Sequence, residues 1–341
     1  MQPAKRLRVL HVLQEQWPLR VPFTITGSTM TELDVVTVTL EQDGCIGRGE
    51  AAGVDYRGGD GIPDILAQIE SLRERIESGL DRASLQRTLH AGGARNAFDC
   101  ALWELDAQLA GRPVWQLAGL PPPRALLTTY TIGAAGPASM AASARAFAQA
   151  RAIKLKLTGE TADEDRVRDV RAARPDVWLG IDANQGFSRR HLDSLMPALV
   201  EARVALIEQP FAVGQEPELR ELNSPIPIAA DESAQGLADI EKLTGRFNIV
   251  NIKLDKCGGL TEALAMAATA RRMGMSAMVG NMVGTSLAMA PAFVLGQLCE
   301  IADLDGPVLL RSDRTQTVDY ANGAIFSGED VWGGARAPRA P

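Results

Sequence analysis

Six ionisable residues stand at the ends of short apolar runs: Lys156 in IKLKL, Asp182 in VWLGID, Glu208 in ALIE, Asp231 in IPIAAD, Lys253 in IVNIKL and Asp303 in LCEIAD. The steps between them are 26, 26, 23, 22 and 50 residues, and the last step holds a further apolar run, MSAMVGNM. Charges are rarely buried unless paired or bound to a metal. Two lysines and several carboxylates converging on one pocket therefore imply a cation and proton transfer. Asp182, Glu208 and Asp231 form a hard oxygen set that suits Mg2+, whose remaining positions go to water and substrate. Without a cation their mutual repulsion is costly. Zinc is disfavoured, because none of the three histidines, His11, His90 and His191, ends such a run.

The lysines flank this trio, with Lys156 one run before it and Lys253 one run after. That order sets two amines on opposite sides of a metal-bound substrate. Removing a proton next to a carboxylate demands stabilisation of a dianionic enediolate, which a metal supplies as a Lewis acid. A lysine base must be neutral, so its pKa should fall from about 10.4 towards about 7 to 8. Lys154, two residues from Lys156 and so on the same strand face, supplies like-charge pressure together with the metal. Taken singly, each of these residues also reads as a salt bridge at a barrel rim. The joint pattern is what points to an enzyme.

The elements that must position these groups follow from periodicity. Beyond Pro121, Pro122 and Pro123, which no helix can continue, strand-like runs alternate with Ala/Arg-rich helical ones at about 25 residues per unit, the pattern of a parallel barrel with its active site at the strand ends. Before that break, RLRVLHVLQ, VPFTIT and DVVTVTLEQDGCIGRGEA read as an antiparallel meander, with a hairpin turn at Asp43 and Gly44. Helical spacing follows at Ile65, Ile69, Leu72 and Ile76 and at Ala97, Ala101, Leu105 and Leu109. The expected fold is α/β: a (β/α)7β TIM-like barrel over 123–312 with an N-terminal α+β capping domain over 1–122. Residues 313–341 are expected to pack back on the cap.

The chain has 341 residues, a hydrophobic fraction of 46% and a formal charge of −7. That balance is globular and argues against nucleic acid, whose partners display basic faces. No window of about 18 apolar residues suggests a membrane span, and the start lacks a secretory core. Four cysteines with no CxxC spacing read as free thiols, so a soluble, cytoplasmic protein is expected.

KLK at 154–156, DAN at 182–184, EQP at 208–210, ADES at 230–233 and NIKLDKCGGLTEAL at 251–264 together resemble the muconate-lactonizing subgroup of the enolase superfamily. Within it the chain is most similar to the dipeptide epimerases, through ADLDGP at 302–307 and GNMVGTSLAMAPA at 280–292. The resemblance implies a Mg2+-dependent epimerase that inverts the α-carbon of the C-terminal residue of an L,L-dipeptide, with Lys156 and Lys253 exchanging roles as base and acid. It assigns Asp303 and Asp305 to the dipeptide α-ammonium, and Thr129, Lys154 and Met282 to the substrate pocket. Loops at about 17–31 and 45–61 should close over the barrel mouth. Relatives acting on Ala-Glu carry an arginine in the first of these loops, where this chain has Met30. Glu50, Asp55 and Asp60 make the second loop acidic, so a hydrophobic or cationic second residue is expected rather than an acidic one. Homo-oligomers are expected, as such barrels often assemble. Other readings stay open: an N-acylamino acid racemase, o-succinylbenzoate synthase or cycloisomerase of the same subgroup, a Schiff-base lyase, or a non-catalytic barrel.

Overall fold

A computed structural model describes residues 7–54 and 59–335. Three antiparallel strands open the chain: β1 (Val9–Ile25), β2 (Ser28–Gln42) and β3 (Cys45–Ala52). Both faces of β2 are covered, because period-two alternation sends Val36, Val38 and Leu40 into one apolar cluster and Leu33 and Val35 into another. The first cluster lies under α1 (Ile62–Glu77), α2 (Arg82–Thr88) and α3 (Gly93–Ala110), where Ile65, Ile69, Leu72 and Ile76 form the buried stripe of α1. The second cluster includes Leu19 and Leu310 and faces the barrel.

One strand is longer than the sequence suggests. The stretch 17–31, expected as a closing loop, is part of a hairpin: β1 and β2 pair along almost their whole length, with a register irregularity between Pro18 and Phe23. Pro18 has no N–H to donate to the ladder, so the pattern reads as two strands where the backbone makes one. Only Thr26 and Gly27 form the turn.

After the short α4 (Val114–Leu117) and β4 (Leu126–Leu127) comes the barrel. Its strands are β5 (Thr129–Ile132), β6 (Ala152–Lys156), β7 (Trp178–Asp182), β8 (Leu206–Glu208), β9 (Ile228–Ala230), β10 (Ile249–Ile252), β11 (Ser276–Val279) and β12 (Ile301–Ala302). All neighbours pair in parallel and in sequence order, and a bridge between Thr128 and Ala302 brings the two edges together. The outer layer holds α5 (Pro137–Ala146), α6 (Asp163–Ala173), α7 (Arg189–Glu201), α8 (Ile240–Leu243), α9 (Leu254–Cys257), α10 (Leu260–Arg272) and α11 (Ser286–Gly296). Leu206, Ala229, Ile249 and Met278 fill a small apolar layer inside the barrel, so its centre is packed rather than open.

After α12 (Gly306–Leu309), the hairpin of β13 (Asp319–Ala321) and β14 (Ala324–Phe326) pairs with β4. The same C-terminal segment reaches the first sheet: Trp332 Nε1 donates to Arg48 O at 2.9 Å, and Arg314 bridges Glu15 and Glu50. Among the described residues no helix is long and apolar enough to cross a membrane.

Candidate active site

Parallel register places the charged strand ends side by side. Lys156 is the direct neighbour of Asp182, and Asp182 of Glu208. One oxygen from each of Asp182, Glu208 and Asp231 lies within 4.8 Å of the others, and all three side chains are buried. Lys156 Nζ meets Asp182 Oδ2 at 2.5 Å on one side of the trio, and Lys253 Nζ meets Asp231 Oδ2 at 2.8 Å on the other.

Neighbouring polar groups aim the acids. Asn184 donates from N and Nδ2 to Asp182 at 2.8 and 3.0 Å, and Asn251 Nδ2 donates to Glu208 Oε1 at 2.7 Å. Two buried acceptors beside them, Asn184 Oδ1 and Asn251 Oδ1, have no donor among the described residues, a lack that cation-held water would make good. Hard, buried, convergent oxygens of this kind fit Mg2+, one ion per site.

Burial pushes the carboxyl groups up, and the lysines decide which of them stay low. Burial acts on Asp182, but Lys156 and Lys154 outweigh it and hold its carboxyl below the usual range. Asp231 lies well below that range for the same reason, with Lys253 and Lys256 as its partners. Glu208 goes the other way, because burial and the Asp182 charge exceed what Lys154 returns.

Burial pulls Lys253 down, but Asp231 and Glu208 raise it above the ordinary lysine value. Lys154 is held by acids of its own. Its ammonium is buried, lies 3.0 Å from Glu208 Oε2 and also pairs with Asp303. The nearest neighbours of Lys154 and Lys253 are carboxylates rather than other amines, an environment that favours their charged form.

A cavity of about 510 Å3 reaches the trio at Asp231, while Asp182 and Glu208 lie beneath its lining. Lys156, Asp231 and Lys253 line it, as do Met30 and Met282. Thr129, Lys154, Asp303 and Asp305 do not. Asp303 accepts from Thr129 Oγ1 and pairs with Lys154, while Asp305 Oδ2 accepts from Thr131 N at 2.6 Å. Burial and the Asp303 charge push the Asp305 carboxyl up to about 6. On this side the cavity wall is Asn281, Met282 and Val283, and Asn281 Nδ2 donates to Asp303 O at 2.5 Å.

Residues that sequence reasoning overlooked complete the wall. Lys256 lines the cavity, bonds Asp231 Oδ1 at 2.6 Å and also donates to Asp231 O. A lysine three residues past Lys253 reads as a solvated helix position, yet the Gly258–Gly259 pair after it was an available sign of close packing. Phe23 and Ile25, two residues apart on β1, and Met30, paired with Phe23 across the hairpin, present apolar surface to the cavity together with Val54. The hairpin turn is fastened to the barrel: Thr26 Oγ1 donates to Leu157 O at 3.1 Å and Ala183 O at 3.2 Å, and Ala134 N donates to Thr24 O at 2.9 Å.

The acidic second loop needs revision. Glu50 is not a loop residue; it is buried in β3, paired with Arg314 and hydrogen-bonded by Thr285. Asp60 does line the cavity and accepts from Gln68 Nε2 at 2.9 Å. Asp55 lies outside the described residues.

Comparison with known proteins agrees with this geometry. Residues 139–326 match the family described as Enolase C-terminal domain-like, and residues 8–119 match the Mandelate racemase / muconate lactonizing enzyme, N-terminal domain. The L-Ala-D/L-Glu epimerase of Escherichia coli (strain K12) is 39% identical over 321 residues, 94% of this chain and 99% of that protein. A crystal structure of an enolase family member from Agrobacterium tumefaciens with homology to dipeptide epimerases, holding sodium and L-Ala-L-Glu, superimposes with a TM-score of 0.92 at 40% identity, covering 96% of this chain and 100% of that one. The dipeptide epimerase of Methylococcus capsulatus, complexed with Mg and L-Arg-D-Lys, gives 0.88 at 30% identity, covering 95% and 97%. The chain belongs to the enolase superfamily and, within it, to the dipeptide epimerase family of isomerases.

Proposed function

We propose that this protein is a Mg2+-dependent epimerase of dipeptides that inverts the α-carbon of the C-terminal residue by transferring a proton between two lysines. The observation that carries the reading is the trio of buried acids with one lysine amine against each end, Lys156 at Asp182 and Lys253 at Asp231. Asp182, Glu208 and Asp231 would hold the ion, which when bound offsets the negative charge that builds on the substrate carboxylate. One lysine takes the α-proton, and the other returns a proton to the opposite face. Their roles exchange with substrate configuration. The hairpin over the cavity excludes water while this happens.

In this reading residues 1–122 form the cap that selects the substrate, 123–312 perform the chemistry, and 313–341 brace the two. Asp303 and Asp305 receive the dipeptide ammonium. Asp303 and Glu208 share the single amine of Lys154, and Asp305 feels the Asp303 charge, which leaves excess negative charge for a second cation. Phe23, Ile25, Met30 and Val54 favour a hydrophobic second residue, and Asp60 tolerates a cationic one. No arginine is among the described residues lining the cavity, so an acidic side chain would meet no free guanidinium. Self-association of the barrel belongs to the same proposal.

The test is deuterium incorporation. A panel of L,L-dipeptides in deuterated water should gain mass at the C-terminal α-carbon, and Lys156→Ala and Lys253→Ala should each stop epimerisation. Full turnover by either variant refutes the two-lysine assignment. A second reading, a racemase of N-acylated amino acids, gains support because Asp303 is already paired with Lys154 and does not line the cavity. Asp303→Asn separates the two: losses confined to substrates with a free amino group support the dipeptide reading.

A further inference from the structure

The turn carrying Lys253 is gripped by the N-terminal part of the chain in a way that the strand carrying Lys156 is not. Asp255, two residues past Lys253, is buried and lines the cavity. Its Oδ1 accepts from Ala52 N at 3.2 Å and from Asn96 Nδ2 at 3.1 Å. Asn96 is 3% exposed and shares the same amide with Glu50 O at 3.1 Å. Its neighbours on α3 hold the following residues. Arg95 Nη2 donates to Cys257 O at 2.6 Å and Arg95 Nε to Gly258 O at 3.3 Å, while Asp99 accepts from Thr261 N at 2.8 Å and Thr261 Oγ1 at 2.6 Å. Segment 255–261 is thereby fastened to one face of α3. On the other flank, among the described residues, the N-terminal part makes one hydrogen bond to segment 152–158, from Thr26 in the hairpin turn to Leu157 O.

We infer that Asp255 is a positioning residue for Lys253 alone, acting as the hydrogen-bond acceptor that fixes the turn after β10 to Asn96 and Ala52. The inference rests on the two-lysine reading above. Lys253 caps the N-terminus of the short helix α9, and its carbonyl accepts from Lys256 N and Cys257 N at 3.1 Å, so a shift of that turn moves the root of the Lys253 side chain. Lys156 hangs from β6, between β5 and β7, and does not depend on this turn. Misplacing one reacting group by about 1 Å costs up to about a hundredfold in rate. Loosening the grip on the turn therefore slows the half-reaction in which Lys253 takes the proton and spares the one in which Lys156 does. Asp255 also connects Lys253 to Ala52, the last residue of β3, from which the cavity-lining Val54 and Asp60 follow.

The experiment measures α-deuterium exchange separately from each epimer of one accepted dipeptide, with Lys156→Ala and Lys253→Ala showing which epimer each lysine serves. Asp255→Ala should lower exchange from the Lys253-dependent epimer by about tenfold or more and change the other by less than about twofold. Asp255→Asn, which keeps an acceptor oxygen, should stay within about threefold of wild type on both. Asn96→Ala leaves Asp255 in place and should reproduce the one-sided loss at smaller size, which covers the case in which Asp255→Ala does not fold. Equal losses from both epimers would overturn the assignment. So would Asp255→Asn behaving like Asp255→Ala, because the carboxylate charge would then matter rather than its acceptor role. If the two lysine variants do not separate the epimers at all, the two-lysine reading itself falls, and that outcome is recognisable without any Asp255 variant.

Discussion

Gly258→Ala and Gly274→Ala form a matched pair that measures how rigidly Arg95 holds the Lys253 turn. Both glycines have nearly the same left-handed backbone, φ +76° and +75°. An L side chain there costs about 1–2 kcal/mol in either place. They differ in what a Cβ would meet. At Gly274 nothing lies within 4 Å, whereas at Gly258 the added carbon would sit 2.2 Å from Arg95 Nε and 2.7 Å from Arg95 Nη2. Arg95 has little room to withdraw, being 5% exposed and bound to Leu89 O, Cys257 O and Glu262. Displacing it gives up charge-assisted hydrogen bonds worth about 2–3 kcal/mol beyond the backbone cost. Gly258→Ala should then lose about 4 kcal/mol and Gly274→Ala about 1–2 kcal/mol. With an unfolding entropy of about 2.1 cal/mol/K per residue, these become drops of about 6 °C and about 2 °C in Tm by calorimetry. Equal shifts for the two variants would refute the reasoning, since they would show that Arg95 yields without loss.

Three further outcomes follow from contacts elsewhere. Lys154→Met strands the buried Glu208 and Asp303 carboxylates and should cost about 3–5 kcal/mol in denaturant titrations; an unchanged midpoint would show that the ammonium is dispensable. Thr26→Val removes two of the hydrogen bonds that fasten the hairpin turn and should lower kcat/KM about five- to tenfold with a Tm drop of no more than about 2 °C, whereas unaltered kinetics would deny the turn a role in closure. Burial pushes the Asp99 carboxyl up to about 6, against Thr261 hydrogen bonds that lower it. The folded chain thus holds that proton more tightly than the unfolded one, and the associated stability is complete below about pH 4 and lost as pH rises through about 6. Asp99→Asn does not titrate, so its stability relative to wild type should improve by about 3 kcal/mol between pH 4 and pH 7, and a constant difference across that range would contradict the shift.

The barrel was legible because strand ends repeat a single chemical event. Each apolar run stops at a charged residue, and parallel register then fixes which charges become neighbours, so the order Lys156, Asp182, Glu208, Asp231, Lys253 could be read as a spatial order. What the pattern hid was partnership. Lys154 is two residues from Lys156 on the same face, yet its amine reaches across the barrel to Asp303, a contact separated by 149 residues. Glu50 looks like an exposed loop acid until Arg314, 264 residues later, covers it. The single strand Val9–Ile25 was obscured by Pro18, because periodicity weighs a proline as a break even where the partner strand carries the pairing past it. Arg95, Asn96 and Asp99 carried no signal of their own, since charged and polar residues inside a helix ordinarily face water.

Phe23, Ile25 and Met30 sit on a hairpin whose ladder is made by backbone groups, so their side chains can change while the pairing stays. Drift at those three positions would retune which peptides are welcomed without disturbing the acids and amines beneath. Descendants of one ancestral catalyst could diversify in diet through its roof and inherit its floor intact.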